Sequence, residues 1–467
     1  MNNGARKTIG LAAIALGTMI GPLDSAVNIA FPRITQDFGI PIDAIQWVVV
    51  CYVLTHSSLM LAFGKLGDLM GHKRVFRLGL ILCAIAFILC ATAQSFSWLL
   101  FARVGQGLGM ALVIGCAPAL VTALYPEHQR ARALGVYTMI FGLGAVIGPS
   151  LGGFLVQEWG WQAVFWFRAP LALAAFGLLF LLPTPPRTPS SARFDLIGAA
   201  LFAIGLAALL LAINSSQQSN GGWLLPAAIA GTSLLAFISF FIREARYSDP
   251  IIRPSLFRNI DFTILNLTNL ILNLVGFSVM LLVPYYLVRI LHLPPTTGGV
   301  ILAIAPLGVV LAGPLGARLI ERFPANRLAL IGGVTVGLAM LSFTAWRDPP
   351  SLFFAAPILF AHGFGLGLYQ VAYMHIVTGT MARTDRGVAG SLAMVTRSTG
   401  VVMGATILSS IFAHASMSGA TDGGGGGDQV GFINGFVLTF QYGGGGLLIY
   451  LCATMLRPRI WFQRSET

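Results

Sequence analysis

An acid, a histidine and three arginines stand inside long apolar runs, where a charge is rare and normally faces protein or a water-filled path. Asp24 follows the pair Gly21-Pro22, which weakens the first apolar helix just before the acid, and Asn28 lies one turn later on the same face. A carboxylate enclosed by apolar helices has its charged form disfavoured by desolvation, whereas a nearby guanidinium favours it. A group balanced between those influences can take up and release a proton as its surroundings change, so Asp24 is read as a proton-exchange residue; the alternative is a purely structural pair. Arg103 and Gln106 share one helix. Arg103 either shapes the field of the acid or ties helices together through backbone carbonyls. His56 shares a face with Tyr52 and Met60 by i, i+4 spacing, and is either a titrating group or a neutral, hydrogen-bonded one. Arg168 either snorkels outward or lines a pathway, and Arg397 is the third intramembrane arginine. No H-E-x-x-H, no grouped acids and no P-loop are present, which argues against a hydrolase, a metal site and ATP as energy source.

The elements that must position these groups are membrane spans. Of 467 residues, 56% are hydrophobic and 9% charged, far below the ~25% charged of a soluble protein. Apolar runs near 8–30, 44–66, 75–94, 98–124, 132–156, 161–182, 195–214, 224–243, 261–289, 297–320, 326–346, 351–379, 387–413 and 432–456 predict fourteen helices. The first is kept as a span rather than a signal peptide, because it is too long and lacks a small-residue cleavage site. With the N-terminus inside, Lys65, Lys73, Arg74, Arg130, Arg243 and Arg386 share one side with most other basic residues, while Arg33, Arg289 and Arg347 fall on the other. That asymmetry predicts cytoplasmic termini, and it assigns the +12 net charge to anionic lipid headgroups and not to nucleic acid. Trp47, Trp98, Trp159, Trp161, Trp223 and Trp346 are expected in an outer interfacial belt. Cys51, Cys83, Cys90, Cys116 and Cys452 read as small apolar residues, without disulfide or metal spacing. The Pro- and Ser-rich stretch 183–191 reads as a linker, and spans seven and eight as an inserted hairpin facing lipid. In the ninth span Asn266, Asn269 and Asn273 form one polar stripe, read as a wet wall; Tyr369 and Tyr373, with His362, share a face of the twelfth.

Four ordered motifs in the first half carry a family resemblance. Gly64-Lys-Leu-Gly-Asp-Leu-Met-Gly-His-Lys-Arg74 reads as a tight charged turn; it resembles the first cytoplasmic hairpin of the major facilitator superfamily, with His72 in place of the usual Arg or Lys. A second copy, Gly313-Pro-Leu-Gly-Ala-Arg318, lacks the acid, so the resemblance carries a latch role to Asp68 alone, with Gly64, Gly67, Gly71 and Arg74 shaping its turn. Leu23–Pro32 resembles the first-helix motif of the fourteen-span drug:proton antiporters, and Arg103-Val-Gly-Gln-Gly the R-x-x-Q-G motif. Gly142–Gly153, with Gly144, Gly148, Pro149, Gly152 and Gly153, resembles the antiporter motif, associated with exporters. Trp161–Pro170 is similar to another segment of that subfamily, where Asn usually stands at the place of Arg168.

The resemblance implies an all-α polytopic membrane protein of the major facilitator fold: six-helix bundles at 1–183 and 261–467, with a two-helix insertion at 184–260. It implies a non-enzyme that exports amphipathic small molecules by alternating access across the cell (cytoplasmic) membrane, as a monomer driven by the proton-motive force without a cofactor. Asp24 then exchanges a proton for substrate and Arg103 shapes its field. Asn28, His56, Gln106, Asn266, Asn269, Asn273, Tyr369, Tyr373 and Arg397 are expected along the substrate path. The alternative is a dedicated exporter of one metabolite, anionic in view of Arg103, Arg168 and Arg397; a remote alternative is an intramembrane enzyme or receptor.

Overall fold

The computed structural model describes residues 3–125, 127–181, 195–218, 223–247, 257–347, 352–380, 386–419 and 427–462. Among them, thirteen helices are long and apolar enough to cross a membrane, and a shorter apolar helix, Ile197–Leu209, occupies the place of the expected seventh span. The first span is broken as Gly21-Pro22 dictates: α1 (Asn3–Met19) ends, a 3₁₀ turn (Pro22–Ser25) carries Asp24, and α2 (Ala26–Phe38) continues. The pre-broken helix therefore presents the acid at a point where backbone geometry is already irregular.

The first bundle continues with α3 (Gln46–Met70), α4 (His72–Ala91), α5 (Phe96–Leu124), α6 (Glu127–Trp159), α7 (Ala163–Trp166) and α8 (Arg168–Leu178). A hairpin follows, α9 (Leu196–Gln218) and α10 (Leu224–Arg246). The second bundle comprises α11 (Ile260–Tyr285), α12 (Pro295–Leu302), α13 (Ile304–Ile320), α14 (Ala325–Ser342), α15 (Leu352–Thr380), α16 (Arg386–Gly419), α17 (Gly427–Thr454) and the short α18 (Arg459–Phe462).

Three features differ from expectation. The charged turn is tighter than the stretch 67–74 left between the expected spans: helix persists through Met70, and Gly71 alone, at φ +95°, reverses the chain. A left-handed φ of this kind favours glycine because it has no Cβ to clash. Second, the tryptophans do not form one belt. Trp98, Trp159 and Trp223 are exposed, but Trp161 and Trp346 are fully buried: Trp161 donates to Asp37 (2.9 Å), and Trp346 packs on Tyr286 and Phe436. An indole buried with its ring among aromatics contributes packing area that an interfacial position would forgo. Third, the inserted hairpin is not only a lipid-facing edge. Leu234, Leu235 and Phe241 of α10 are exposed, but α9 packs on α3 and α16, one helix from each bundle.

The two bundles meet chiefly at the end opposite the chain termini. There Gln157 of α6 accepts from the Thr296 hydroxyl of α12 (2.5 Å), and a methyl added at Gly153 would collide with the Pro295 carbonyl oxygen. A methyl at Gly299 would collide in the same way with the Pro149 carbonyl oxygen. Only hydrogen fits at either position, so α6 and α12 touch backbone to backbone. A cleft of about 780 Å³, lined in part by Arg33, Gln36, Gln157, Arg289 and His292, lies outside this seal. Deeper in, Asn28 donates to the Met280 sulfur (3.1 Å) and Ser57 to Ser398 (2.6 Å), linking α2 to α11 and α3 to α16.

Candidate functional site

Arg103 and Gln106 lie one helical turn apart on α5, and both aim at the 3₁₀ turn that carries Asp24. Arg103 donates Nη1 and Nη2 to the two carboxylate oxygens of Asp24, 2.7 Å each, in the fork geometry that arginine presents to a carboxylate. Its Nε donates to the Val48 carbonyl of α3 (2.8 Å), and Nη1 also reaches Gln106 Oε1 (2.7 Å). Gln106 Nε2 donates to Asp24 Oδ1 (2.9 Å). The glycines of the R-x-x-Q-G motif explain the reach. A methyl at Gly107 would stand 2.7 Å from the Tyr52 carbonyl oxygen, so α5 and α3 approach closely enough for Arg103 to bond a backbone carbonyl across the gap. Arg103 thus contacts the acid and ties two helices at once.

Arg168 neither snorkels nor lines a path. It is fully buried, and its Nη1 donates to Asp24 Oδ1 (2.5 Å) while Nε donates to the Val164 carbonyl (2.8 Å). Asp24 Oδ1 therefore accepts three N–H donors and Oδ2 one, and a proton can reach Oδ1 only by displacing a donor. Two guanidinium cations against one carboxylate leave one buried positive charge. Aromatic faces offset part of its desolvation: Arg103 lies over Tyr52 (4.5 Å), Arg168 over Phe87 (4.8 Å) and Phe165 (5.0 Å). Arg168 Nη2 has no hydrogen-bond partner. The carboxylate keeps 13% of its side-chain surface accessible, whereas both arginines have none. The place of Arg103 beside the acid was legible from its motif, but that of Arg168 was not; the signal available was an arginine where the related pattern has asparagine.

Other expected path residues separate into two groups. Asn28, half-buried, bonds across to Met280 of the second bundle, and Arg397 is exposed on α16. Gln106 belongs to the buried cluster around Asp24 instead. The asparagine stripe is not a wet wall. Asn266, Asn269 and Asn273 are buried: Asn266 accepts from Tyr373 (2.7 Å), Asn269 donates to Thr396 (2.7 Å), and Asn273 donates back to the Asn269 carbonyl (2.7 Å). The cause is close packing of α16 on α11, where methyls at Gly400 and Gly404 would collide with the Leu270 and Leu274 carbonyl oxygens. Tyr369 and Tyr373 of α15 are buried too, and Tyr369 donates to the Leu265 carbonyl of α11 (2.7 Å). These five residues clamp α11 to α15 and α16. His56 stacks on Tyr52 (centroids 5.8 Å apart, 10°), yet its Nε2 is enclosed without a partner, contrary to a fully hydrogen-bonded histidine.

The antiporter-like glycines act as a contact face for the broken first span. Methyls at Gly144, Gly148 and Gly152 would meet Met19, Ser25 and Ala26, so α6 lies against the turn that holds Asp24. Gly153 and Pro149 face α12 instead, joining the acid's own support to the seal between bundles. Gly299, the partner of Pro149, is not among the residues expected to matter; a Gly-Gly pair opening a span is its only sequence signal. In the tight hairpin, Gly64 lies against Gly115 of α5 and Gly67 against His72 and Cys116, while Arg74 is exposed. The Asp68 side chain lies outside the described residues.

Comparison with known proteins agrees with this architecture. The pattern of the Major Facilitator Superfamily matches residues 9–405 and 265–451. The chain is 29% identical over 415 residues to the riboflavin transporter RibZ of Clostridioides difficile (strain 630), covering 88% of this chain and 89% of that protein. It is 28% identical to the multidrug resistance protein Stp of Mycobacterium tuberculosis (strain CDC 1551 / Oshkosh), over 86% of this chain and 75% of the relative. It is 29% identical to the puromycin resistance protein pur8 of Streptomyces alboniger, over 90% and 84%. Among solved structures, a bacterial homolog of the human lysosomal transporter Spinster, in an inward-facing and unoccupied conformation, superposes with a TM-score of 0.72 at 19% identity, covering 98% of both chains. A sequence pattern spanning nearly the whole chain, a shared two-bundle fold and a broken first helix facing a glycine-rich sixth lead to one conclusion: the chain belongs to the major facilitator superfamily.

Proposed function

We propose that the protein exports amphipathic small molecules across the cell membrane in exchange for protons, as a fourteen-span antiporter with cytoplasmic termini and halves 1–183 and 261–467 rocking about the space between them. The observation that carries the reading is Asp24. Among the described residues it is the one acid far from any span end, it keeps a small accessible surface, and its oxygens are held by donors from α5 and α8. A proton and a substrate can then compete for one site: protonation releases the guanidiniums, and their release alters the packing of three helices. Multidrug and antibiotic-resistance relatives support export, and the positive-inside asymmetry supports the orientation. Gly144, Gly148 and Gly152 form the face on which the broken span can slide, and Gly153 with Gly299 the seal that must open.

A second reading, one dedicated substrate, is favoured by the named riboflavin transporter at 29% identity and by the buried excess of positive charge. Uptake into energised inverted membrane vesicles across a panel of cationic, neutral and anionic compounds separates the two. Accumulation of several unrelated compounds, abolished by collapsing the proton gradient, is the expected result. Accumulation of a single compound favours the dedicated exporter, and accumulation insensitive to the gradient overturns proton coupling.

A further inference from the structure

Arg397 is the residue that the Asp24 cluster leaves unused. It lies on α16 beside Ser398, whose hydroxyl is bonded to Ser57 of α3 (2.6 Å). Ser57 sits near the middle of the 25-residue α3, so Arg397 is at mid-depth in the bundle. Its side chain is exposed even so, and it forms no hydrogen bond or ion pair among the described residues. Around α16, Arg397 lies between the face that Gly400 and Gly404 press on α11 and Ser398, which bonds to α3, so its exposed side chain opens into the wedge between α11 of one bundle and α3 of the other. His56 precedes Ser57 on α3 as Arg397 precedes Ser398 on α16, so both belong to this α3–α16 contact. His56 Nε2 is enclosed and unpartnered, and its ring stacks on Tyr52, which in turn lies beneath the Arg103 guanidinium. The nearest intramembrane carboxylate, Asp24, already accepts from two arginines and a glutamine.

A guanidinium held at mid-depth without a protein counter-ion leaves its bidentate N–H fork free for an incoming anion. Low local polarity strengthens that attraction relative to water and repels cations by the same measure. We infer that Arg397, with the His56 imidazole beside it, forms an anion subsite in the wall of the central space, which takes the carboxylate of an amphipathic organic acid. Arg397 supplies the charge and the paired donors. His56 Nε2 has no partner to give up, so a turn of its ring can bring that N–H, in the tautomer protonated there, to an anion held by Arg397. The excess guanidinium at Asp24 adds a field of the same sign behind them. This rests on the export reading above and narrows its substrates to acids.

The test uses the full chain in lipid nanodiscs and three matched probes: naphthoate, naphthalenemethanol and naphthylmethylammonium. Calorimetric titration should show the carboxylate binding most tightly. Arg397→Gln should weaken naphthoate about tenfold or more, the scale of one charge-assisted contact, without altering naphthalenemethanol; Arg397→Lys should restore part of the loss. His56→Leu should weaken naphthoate about threefold or more. The inference is overturned if naphthoate binds the wild type no better than the alcohol or the ammonium, or if Arg397→Gln leaves it unchanged. Should Arg397→Gln fail to fold, Arg397→Lys decides, since a point ammonium cannot reproduce the fork: unchanged naphthoate affinity overturns the assignment. Failure here with gradient-driven export intact in vesicles refutes the anion subsite alone, whereas loss of export for every compound class refutes the reading beneath it.

Discussion

At single residues, the decisive arrangement is one carboxylate between two buried guanidiniums. Removing the carboxylate leaves both cations unpaired, and breaking a buried pair in this way costs roughly 3–5 kcal/mol. Asp24→Asn should therefore lower the folded yield as well as abolish gradient-driven export. Loss of both would not by itself distinguish coupling from structure. The double variant Asp24→Asn/Arg168→Asn does so, because it removes one cation together with the anion. Arg103 then keeps two side-chain amide oxygens as acceptors, the one introduced in place of the acid and that of Gln106. Its folded yield, read by fluorescence-detected size-exclusion chromatography, should recover by most of the loss. Proton-driven accumulation in vesicles should stay absent while exchange down a gradient persists. Full gradient-driven export by either variant would sink Asp24 as the coupling residue.

Helix pairs set the next scale. The α3–α4 hairpin turns on Gly71 alone, so Asp68 rides at the end of a continuous helix and not on a mobile loop. A charge at such a helix end contributes about 0–1 kcal/mol to stability, yet it can bias two conformations of similar free energy. Asp68→Asn should accordingly reduce turnover with little change in folded yield or binding; unaltered transport rates would leave the hairpin with no part beyond joining two helices. The α6–α12 contact makes a sharper demand. Gly153→Val would drive a side chain into the Pro295 carbonyl, where a first carbon alone already collides. The seal should then fail to close, and a thiol at Asn28→Cys should react faster with a membrane-impermeant reagent added from the side opposite the termini. Equal labelling rates with and without the substitution would show that the seam is not the gate.

The whole molecule combines a polarised charge distribution with a seal at one end. Basic loop residues gathered at the terminal end support, by the positive-inside rule, the proposal that this end is cytoplasmic. Single cysteines at Ser190 and Ser255 should then react only from the cytoplasm, and those at Ser219 and Gly425 only from outside. All four positions lie outside the described residues, so the expectation rests on the sequence. Labelling of Ser219→Cys from the cytoplasmic side would remove the inserted hairpin as a membrane-crossing pair. With α9 seated on both α3 and α16, that hairpin is also placed to report relative movement of the bundles.

The class of protein and the place of its acid were legible along the chain alone. Apolar runs of bilayer length cannot be reconciled with a soluble fold, and Gly21-Pro22 breaks a helix wherever it lies, so the irregular turn at Asp24 followed from local chemistry. The R-x-x-Q-G spacing likewise put Arg103 and Gln106 on one face of α5. Which faces meet is a matter for the packed molecule. Arg168 joins Asp24 across 144 positions of sequence, and no periodicity encodes that encounter. The asparagine stripe shows the same limit. Spacing along α11 correctly aligned Asn266, Asn269 and Asn273, but whether an aligned polar face meets water or another helix depends on the opposing surface. Here the glycines of α16 bring a second backbone close enough to satisfy the stripe, so the amides close a helix pair and Arg397, one turn of α16 before Gly400, is left exposed.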